Sequence, residues 1–406
     1  MLGIISQKKL SNANPHNDHR NLPRPLRKIL CLNDFENAAC RRLPRPIFGY
    51  VSGAVEDGRS LLANFAAFDQ WALVPRVLIN VSARNQATEL LGRTYAHPFG
   101  IAPMGISALS AYEGDLVLAR AAEQRNIPMI MSGASLIKME EIAQSAPQSA
   151  WFQAYVPGEM DQIALLVKRV KKAGFSTLVL TVDTATLANR ENNVRAGFSS
   201  PLRPSLRLGW DGVSRPRWLL GTLARTLLTR GLPHFENSGA DRGVPVIARK
   251  AVRQFGHRDH LCWEHVRNIR DLWPGKLILK GILSANDAKL ASEHGVDGII
   301  VSNHGGRQLD GAAAPLKVLP EIIEKKGNMA VMLDSGFRRG TDIMKALSLG
   351  ADFVFIGRPF LYAAAVAGEV GVNHAVQLLA DEIHRNMALL GISSLAELNQ
   401  DFLITT

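Results

Sequence analysis

The chain has 406 residues, of which 47% are hydrophobic, so it is long enough for one large core or two modest ones. Its 47 lysines and arginines against 36 acidic residues give a net charge of +11, which suits an anionic substrate, an anionic membrane surface or nucleic acid. Nucleic acid is disfavoured because the sequence carries neither a zinc-ligand pattern nor an aromatic-rich basic motif. No apolar run approaches the ~20 residues that span a bilayer. Three widely separated cysteines indicate a reducing compartment.

The first 28 residues differ in character from the rest of the chain. They are polar, basic and interrupted by prolines, and they lack the long apolar centre of a secretory signal. A segment of this composition cannot bury enough apolar surface to fold. We therefore predict a mostly disordered extension over residues 1–28 and a folded domain over residues 29–406.

Eight short apolar runs occur in the remaining sequence, and a helical pattern follows each of them. Near-continuous apolarity is typical of parallel strands covered on both faces, and the runs are FGIAPM (99–104), PMIMSG (128–133), WFQAYV (151–156), TLVLTVD (177–183), KLILKG (276–281), DGIIVSN (297–303), AVMLDSG (330–336) and DFVFIG (352–357). This eightfold alternation predicts an α/β fold of the (β/α)8 TIM-barrel type. The wide gap after the fourth run predicts a long basic insertion or lid over residues 198–245.

Polar side chains gather at one end of these predicted strands. The carboxyl ends of barrel strands form the face on which active sites are built. A single polar residue at a strand end is more often solvated or paired with an opposite charge, but eight on the same end favour an active site. They are Ser132, Gln153, Tyr155, Thr181, Asp183, Lys280, His304 and Asp334.

The stretch GIIVSNHGGRQLDG (298–311) places a histidine, two glycines and an arginine directly after a buried strand. Histidine titrates near neutral pH and can act as a base. A loop that merely connects two elements would tolerate almost any polar residues, so this set of residues indicates a chemical role for the loop.

Several segments resemble, in order, those of the FMN-dependent 2-hydroxy-acid oxidases and dehydrogenases. The similar segments are YVSGAVED, WFQAYV, LTVDT, ILKGILSANDA, SNHGGRQLD and LDSGFRRGTDIMKALSLGADFVFIGRP. The resemblance covers roughly Leu32 to Leu398, with an interruption between about Gly197 and Val244. RDLWPGKLILKG and DSGFRRG are most similar to the bacterial membrane-associated branch, which oxidises mandelate or lactate.

The resemblance implies a set of catalytic and substrate-binding residues. His304 would be the base, and Asp183 would orient it and stabilise its protonated form. Lys280 would stabilise the negative charge of the reduced flavin. The substrate carboxylate and hydroxyl would be bound by the two arginines and two tyrosines, Arg307, Arg190, Tyr50 and Tyr155.

The resemblance also implies how FMN would be held; no metal is implied. The backbone around Ala102, Pro103 and Met104 would pack against the flavin ring. Its polar edge would be bonded by Ser132, Gln153, Thr181 and Ser302. Asp334 would bind the ribityl chain, and the phosphate would lie beyond the seventh and eighth strands, at Gly336, Arg338, Gly357 and Arg358.

Four positions depart from the family pattern. Ala134 stands where plant glycolate oxidases carry tryptophan, which leaves room beside the flavin for a substrate larger than glycolate. Gly105 stands where oxidases often have alanine, which fits an acceptor other than oxygen. Val55 and Ser335 replace an alanine and a glycine, and we expect neither to abolish binding.

The insertion contains a basic and leucine-rich stretch over residues 203–230. Six arginines face one acid, Asp211, and five leucines follow helical spacing opposite Thr222, Arg225, Thr226 and Thr229. Trp210 and Trp218 add rings that favour interfaces. This pattern predicts a helix lying in an anionic membrane surface; the alternative is a disordered or packed loop.

The stretch GHRDHLCWEH (256–265) contains three histidines and a cysteine, but their spacing matches no recognised ligand set. We interpret it as a solvated loop followed by the start of a helix.

Together these observations predict an FMN-dependent L-2-hydroxy-acid dehydrogenase that passes electrons to a quinone or another respiratory acceptor. We expect a homotetramer in the cytoplasm, attached peripherally to the inner face of the membrane. The alternative within the family is an oxygen-dependent oxidase producing hydrogen peroxide. An FMN-barrel isomerase and a flavin-binding scaffold without turnover are disfavoured, because His304, Arg307, Arg190 and Tyr155 are all present.

Overall fold

The computed structural model describes residues 22–239, 241–248 and 258–406. Its twelve strands are β1 (Trp71–Leu73), β2 (Thr88–Leu90), β3 (Arg93–Tyr95), β4 (Phe99–Ile101), β5 (Met129–Ser132), β6 (Ala150–Ala154), β7 (Thr177–Thr181), β8 (Lys276–Ile282), β9 (Gly298–Val301), β10 (Ala330–Leu333), β11 (Phe353–Ile356) and β12 (Leu403–Thr405). Strands β4 to β11 form one closed barrel in which all neighbours are parallel. Each overlaps one of the eight predicted runs, so the (β/α)8 prediction is confirmed.

Helices surround the barrel and precede it. In chain order they are α1 (Asp34–Arg42), α2 (Arg45–Ser52), α3 (Arg59–Asp69), α4 (Ser107–Ser110), α5 (Gly114–Gln124), α6 (Met139–Ser145), α7 (Met160–Ala173), α8 (Glu191–Ala196), α9 (Leu206–Val213), α10 (Pro216–Trp218), α11 (Arg225–Arg230), α12 (Trp263–Leu272), α13 (Ala285–Glu293), α14 (Pro315–Lys325), α15 (Gly340–Ser348) and α16 (Arg358–Leu390). A π-helical turn, Leu219–Ala224, joins α10 to α11. Non-helical backbone at Ala367 and Gly368 kinks α16.

The core has two layers because barrel strands alternate their side chains between the lumen and the helices. One side of each strand fills the lumen with residues such as Ile130, Ile278 and Phe355. The hairpin β2–β3 packs against this inner cluster, where the Tyr95 and Phe353 rings lie 5.8 Å apart. The other side packs against the helices in a larger cluster.

The structure differs from the sequence prediction at residues 22–28. Arg24–Leu26 forms a short 3-10 helix, and Leu26 is fully buried in the outer core. Burial of this leucine anchors the segment, so the folded domain begins earlier than residue 29. Residues 1–21 of the predicted extension lie outside the described residues.

The insertion after the fourth barrel strand contains α8 to α11 before the chain reaches α12 and β8. Helix α12 begins at Trp263, as predicted for the end of the stretch 256–265, of which residues 258–265 are described. Among the described residues, no group of three or more His, Cys, Asp or Glu side chains is arranged to hold a metal ion.

The helical stretch from Pro216 to Arg230 turns Thr222 and Thr226 inward and several leucines outward. Thr222 and Thr226 are 3% and 5% exposed, whereas Leu220 and Leu228 are 69% and 87% exposed. This segment is anchored to the barrel by Arg230, which forms ion pairs with Glu113 and Glu141.

The prediction that Trp218 seeks an interface is wrong. Its ring is 6% exposed, and its indole N–H donates to the backbone oxygen of Leu109 over 2.7 Å. A buried indole needs such an acceptor, and this contact directs the ring into the protein. Trp210 on α9 is 72% exposed, in keeping with the expected position of its ring.

Candidate active site

A cavity of about 930 Å³, counted with its open mouth, lies at the carboxyl ends of the barrel strands. It brings together most of the predicted site residues, because strand ends that are distant in sequence meet on this face. On its wall are Tyr50, Ala102, Pro103, Met104, Tyr155, Thr181, Arg190, Lys280, His304, Arg307, Asp334, Gly336, Arg338, Gly357 and Arg358. Four other predicted residues, Asp183, Ser132, Gln153 and Ser302, lie behind the wall.

His304 and Asp183 form the central pair of the site. The imidazole Nδ1 lies 3.0 and 3.1 Å from the two carboxylate oxygens of Asp183. Burial would raise the pKa of Asp183, but His304, Lys280 and a backbone hydrogen bond together outweigh burial and lower it. Burial lowers the pKa of His304, helped by Lys280 and Arg190 and opposed by Asp183. An ionised carboxylate therefore holds a neutral imidazole whose Nε2 can accept a proton.

The loop that carries His304 has an unusual backbone. His304, Gly305 and Gly306 have φ values of +58°, +67° and +71°, a region that is unfavourable for residues other than glycine. Side-chain acceptors hold the three amides: His304 N–H donates to Ser302 Oγ, Gly305 N–H to Ser335 Oγ, and Gly306 N–H to Asn303 Oδ1, over 3.0 to 3.1 Å. The strained turn is thus fixed by hydrogen bonds rather than by regular structure.

Lys280 is 3% exposed and lies between two acceptors. Its Nζ donates to Ser302 Oγ and pairs with Asp334 Oδ2, each over 2.8 Å. Burial would lower the pKa of Lys280, but the carboxylates of Asp334 and Asp183 outweigh burial and raise it. The residue is therefore a fixed cation in the cavity wall.

Gly281 explains how the chain turns after Lys280. The pairing of β8 with β9 shifts register here, and Gly281 has a φ of +109°. A Cβ atom at this position would come within 2.7 Å of the Asp183 side chain. Only glycine fits, because both the backbone angle and the space next to the His304–Asp183 pair exclude a side chain.

Arg190, Arg307 and Arg358 bring positive charge to the site. Arg307 donates to the carbonyl oxygens of Gly53 and Tyr50 over 2.6 and 2.7 Å, and Arg190 donates to the Arg307 carbonyl over 3.0 Å. Burial, Arg190 and Arg358 lower the pKa of Arg307 to about 9. Guanidinium groups stay protonated in proteins, so this depression signifies crowded positive charge. A bound carboxylate would relieve it.

Arg190 and Arg307 form no ion pair with a carboxylate in the part of the chain that the structure describes. The acidic side chains nearest the centre, Asp183 and Asp334, are already paired with His304 and Lys280. An anionic ligand is therefore the group best suited to neutralise these arginines.

The two predicted tyrosines flank the mouth of the cavity. The Tyr50 ring stacks on Phe198 at 4.4 Å, and the Arg307 guanidinium lies 5.1 Å from its centre. Burial and the neighbouring Tyr50 raise the pKa of Tyr155, which keeps its hydroxyl protonated and able to donate. Both rings also line a second, adjoining chamber.

The second chamber extends outward from the tyrosines. Its inner wall includes Gly105 and Ala134, and its outer wall includes Leu187, Val194 and Phe198. A Cβ atom on Gly105 would lie 3.0 Å from the Ala134 Cβ and 3.2 Å from the Tyr50 hydroxyl oxygen. The two small residues therefore keep open the space in which a substrate side chain can extend.

The part of the main cavity next to the carboxyl ends of β10 and β11 is suited to a phosphate. Arg338 and Arg358 lie there with the glycines at positions 336 and 357, and Arg358 donates to the Gly53 carbonyl, which also accepts from Arg307. Burial lowers the pKa of Arg338 and of Arg358, the latter to about 10, while Glu36 opposes the change in both. Cations that are buried in this way gain from an anion between them.

One observation in the cavity, independent of any family resemblance, indicates that its residues fit FMN. Gln153 is fully buried; its Oε1 accepts from the Ser132 hydroxyl and the Gly133 amide, whereas Nε2 has no hydrogen-bond partner among the described residues. A buried donor without a partner is costly. A flavin carbonyl would provide the acceptor, and the phosphate would meet Arg338 and Arg358.

Sequence reasoning missed three supporting contacts. Asn64 on α3 exchanges two side-chain hydrogen bonds with Asn303, over 2.9 and 2.7 Å. Glu36 on α1 accepts from the Tyr362 hydroxyl and faces the phosphate end. Ser335, noted only as a departure from glycine, donates to Asp334 and accepts from Gly305. Only Ser335 carried a signal in the sequence, namely its departure from the glycine of the family pattern. The contacts of Asn64 and Glu36 depend on helices that precede the barrel.

Comparison with known proteins agrees with this geometry. The sequence profile of the family described as FMN-dependent dehydrogenase matches residues 39–405. The (S)-mandelate dehydrogenase of Pseudomonas putida is 37% identical over 372 residues, which cover 92% of this chain and 93% of that protein. An L-lactate dehydrogenase of Xanthomonas euvesicatoria pv. vesicatoria is 38% identical over 381 residues, which cover 92% and 96%.

Solved structures give the same picture. The crystal structure of the monotopic membrane protein (S)-mandelate dehydrogenase superimposes with a TM-score of 0.84 and 35% identity, and the match covers 93% of this chain and all of that one. Mandelate oxidase with (S)-2-phenylpropionate superimposes with a TM-score of 0.76 and 32% identity over 93% of this chain and 99% of that one.

Proposed function

The chain belongs to the FMN-dependent dehydrogenase family and is an FMN-dependent oxidoreductase; from this premise we propose that it oxidises an L-2-hydroxy acid of the lactate or mandelate type to the 2-oxo acid and passes the electrons to a membrane quinone. The observation that carries the proposal is His304, hydrogen-bonded to Asp183 beside two arginines that form no ion pair with a carboxylate among the described residues.

FMN would be held by the residues that line the main cavity. Gln153, Ser132, Thr181 and Lys280 would bind the ring, and Arg338 and Arg358 with their adjacent glycines would bind the phosphate. Bound FMN supplies the two-electron acceptor that oxidation of an alcohol requires. The fixed ammonium of Lys280 provides positive charge where electron density increases.

The substrate carboxylate would be held by the guanidinium groups of Arg307 and Arg190, which orient the alcohol carbon. His304 Nε2 would accept the proton that leaves the substrate, and the Asp183 carboxylate would stabilise the resulting imidazolium. Because the pKa of His304 is lowered, the imidazole is in its accepting form at neutral pH. The Tyr155 hydroxyl, whose pKa is raised, would donate a hydrogen bond throughout.

The second chamber supports a substrate with an apolar side chain. Gly105 and Ala134 leave space beside Tyr50, and Phe198 and Leu187 offer apolar surface farther out. An aromatic or branched side chain would gain from burial there. The glycolate-like end of the substrate range is accordingly less favoured.

The exposed leucines support a membrane-bound acceptor. Leu220 and Leu228 project outward from a segment that carries several arginines, and one similar structure is described as a monotopic membrane protein. No helix of the described residues is long and apolar enough to cross a bilayer. We propose peripheral attachment through residues 203–230, on the cytoplasmic face of the membrane, and a homotetrameric assembly.

An anaerobic titration of the FMN-loaded enzyme tests the reaction. L-mandelate and L-lactate should bleach the visible flavin band, the D-enantiomers should not, and a quinone analogue should restore it much faster than air. Rapid recovery in air would favour the oxygen-dependent oxidase, which similarity to mandelate oxidase keeps as the second candidate. A band that no 2-hydroxy acid bleaches would contradict the proposed substrate class. His304→Asn is the matched control, which should bind FMN but resist bleaching.

A further inference from the structure

A second pocket, which shares no residue with the wall of the active-site cavity, lies where the insertion meets α1 and α16. Its wall includes the four arginines Arg41, Arg42, Arg215 and Arg217, together with Pro25, Ala38, Ser214, Pro216 and Val366. Two arginines come from the last turn of α1, Arg215 caps the start of α10, and Arg217 lies within α10. The pocket therefore joins the folded body to the insertion.

Positive charge in this pocket is not balanced by a protein carboxylate. None of its four arginines forms an ion pair within the described ranges, and no acidic residue is on its wall. Arg215 donates to the backbone oxygen of Leu43 over 3.2 Å, which fixes its position. Burial, and then the Arg217 guanidinium, lower the pKa of Arg42. Part of this charge complements the carboxyl end of α1, but a helix end does not require four guanidinium groups.

The pocket opens beside the apolar surface of the insertion. Its residues 214–217 follow Val213 directly and precede Leu220 by three residues, and these two side chains are 59% and 69% exposed. Arg217 and Leu220 are both exposed and only three positions apart, so the pocket wall lies within about 11 Å of the apolar side chains along the chain. A group bound in the pocket would thus lie at the level of the exposed leucines.

We propose that the pocket formed by Arg41, Arg42, Arg215 and Arg217 binds the phosphodiester of an anionic phospholipid. Arginine forks match phosphate oxygens in pairs, and basic pockets next to membrane-docking elements are suited to anionic headgroups. The inference depends on the proposed membrane contact and adds to it. The leucines would supply general attraction to the bilayer, and the pocket would supply preference for anionic lipid.

Vesicle co-sedimentation of the FMN-loaded enzyme tests this pocket. Binding is measured on vesicles of phosphatidylcholine alone and on an equimolar mixture with phosphatidylglycerol. The unsubstituted protein should bind the mixture more tightly. Arg42→Gln and Arg217→Gln should each weaken binding to the mixture about fivefold, the effect of about one arginine at a membrane surface. Both should leave binding to phosphatidylcholine and activity with a soluble dye acceptor unchanged.

Arg385→Gln is the matched control, because it removes one charge from an exposed arginine of α16 that lies outside the insertion. It should weaken binding to the mixture less than twofold, and Arg42→Lys should retain most of it. Equal losses in Arg385→Gln and Arg42→Gln would indicate diffuse attraction and overturn the pocket. Thermal stabilisation by inorganic phosphate that Arg42→Gln abolishes, without any change in vesicle binding, would indicate a site for free phosphate and overturn the lipid assignment. Failure of the unsubstituted protein to bind either vesicle would instead contradict the membrane contact itself.

Discussion

Replacement of Asp183 by asparagine changes one charge and almost no volume at the centre of the site. The two carboxylate oxygens lie 3.0 and 3.1 Å from His304 Nδ1. A hydrogen bond to a charged group is worth about 1.5–3 kcal/mol, and two unit charges about 4 Å apart attract by about 4 kcal/mol at an effective dielectric constant of 20. Loss of imidazolium stabilisation should therefore cost about 3–4 kcal/mol, a decrease in kcat of roughly 10²- to 10³-fold.

The pH profile of Asp183→Asn gives a sharper test than the rate. His304 is the accepting base, so kcat/KM rises as the pH increases through its pKa. Burial, Lys280 and Arg190 lower that pKa, and Asp183 is the residue that raises it. Removing the carboxylate should thus move the acid limb to a lower pH while the rate falls at every pH.

Steady-state kinetics with a soluble dye acceptor measure both effects, and the visible spectrum confirms that FMN is bound. Asp310→Asn is the matched control, because Asp310 lies in the same loop as His304 but its carboxylate accepts from the Ser60 amide. It should change kcat less than about twofold. An acid limb that moved upward in Asp183→Asn, or a loss below tenfold, would refute the assigned roles of the pair.

Three further predictions concern the membrane surface, the substrate chamber and the core. Leu228→Asp should weaken vesicle binding about 10- to 100-fold, because burial of a leucine is worth about 1.5–3 kcal/mol. The control Leu389→Asp should have little effect in the same co-sedimentation assay, because this leucine is also exposed (63%) but lies on α16. Gly105→Ala places a methyl 3.0 Å from the Ala134 Cβ and should raise KM for L-mandelate about tenfold relative to L-lactate in dye-coupled kinetics. Asp115→Asn should increase the free energy of unfolding above pH 7 by up to about 4 kcal/mol, with no gain below 3.8, as measured by denaturant titration.

The sign for Asp115 follows from its burial. This carboxyl is fully buried in the first turn of α5, and burial raises its pKa from 3.8 to about 7. Ser107 and Ser135 lie near enough to moderate the increase, yet neither carboxylate oxygen has a well-formed hydrogen bond among the described residues. The unfolded chain loses this proton first as the pH rises, so the folded state is progressively penalised up to pH 7. Equal stability of Asp115→Asn and the unsubstituted protein well above pH 7 would contradict this.

The predictions for Leu228→Asp and Gly105→Ala can each be contradicted by a definite result. If Leu389→Asp weakened vesicle binding as much as Leu228→Asp, the apolar attraction would not be confined to the insertion. If Gly105→Ala raised KM for lactate and mandelate alike, the added methyl would act on the carboxylate end of the substrate rather than on its side chain.

The barrel could be predicted from sequence because its strands are buried on both faces and therefore carry a continuous apolar signal. Most site residues followed from the same reasoning, since polar residues at strand ends converge on one face. The depth of each side chain did not follow: Ser132 and Gln153 lie behind the cavity wall, whereas Thr181 lies on it. Depth depends on strand tilt and on the residues packed in front, which periodicity does not specify.

The orientation of the insertion was the least predictable feature. A stripe of leucines opposite threonines normally turns its leucines inward, and the membrane prediction required the reverse. Three-dimensional packing decides the matter: Trp218 is directed inward by the Leu109 carbonyl, and Thr222 follows it. A single indole hydrogen bond, invisible in the sequence, thus separates the buried tryptophan from the exposed Trp210.

The backbone turn at His304 has a consequence for how this site recognises anions. Consecutive left-handed residues often present their amides as a concave cradle for phosphate or carboxylate. In this loop, the hydroxyls of Ser302 and Ser335 and the amide oxygen of Asn303 already accept those N–H groups. The three amides are therefore not available to bind the carboxylate of a substrate. Selection for an acid depends instead on long arginine side chains, which mutation can replace. A change of substrate charge could therefore evolve through Arg190 or Arg307 while the catalytic turn stays intact.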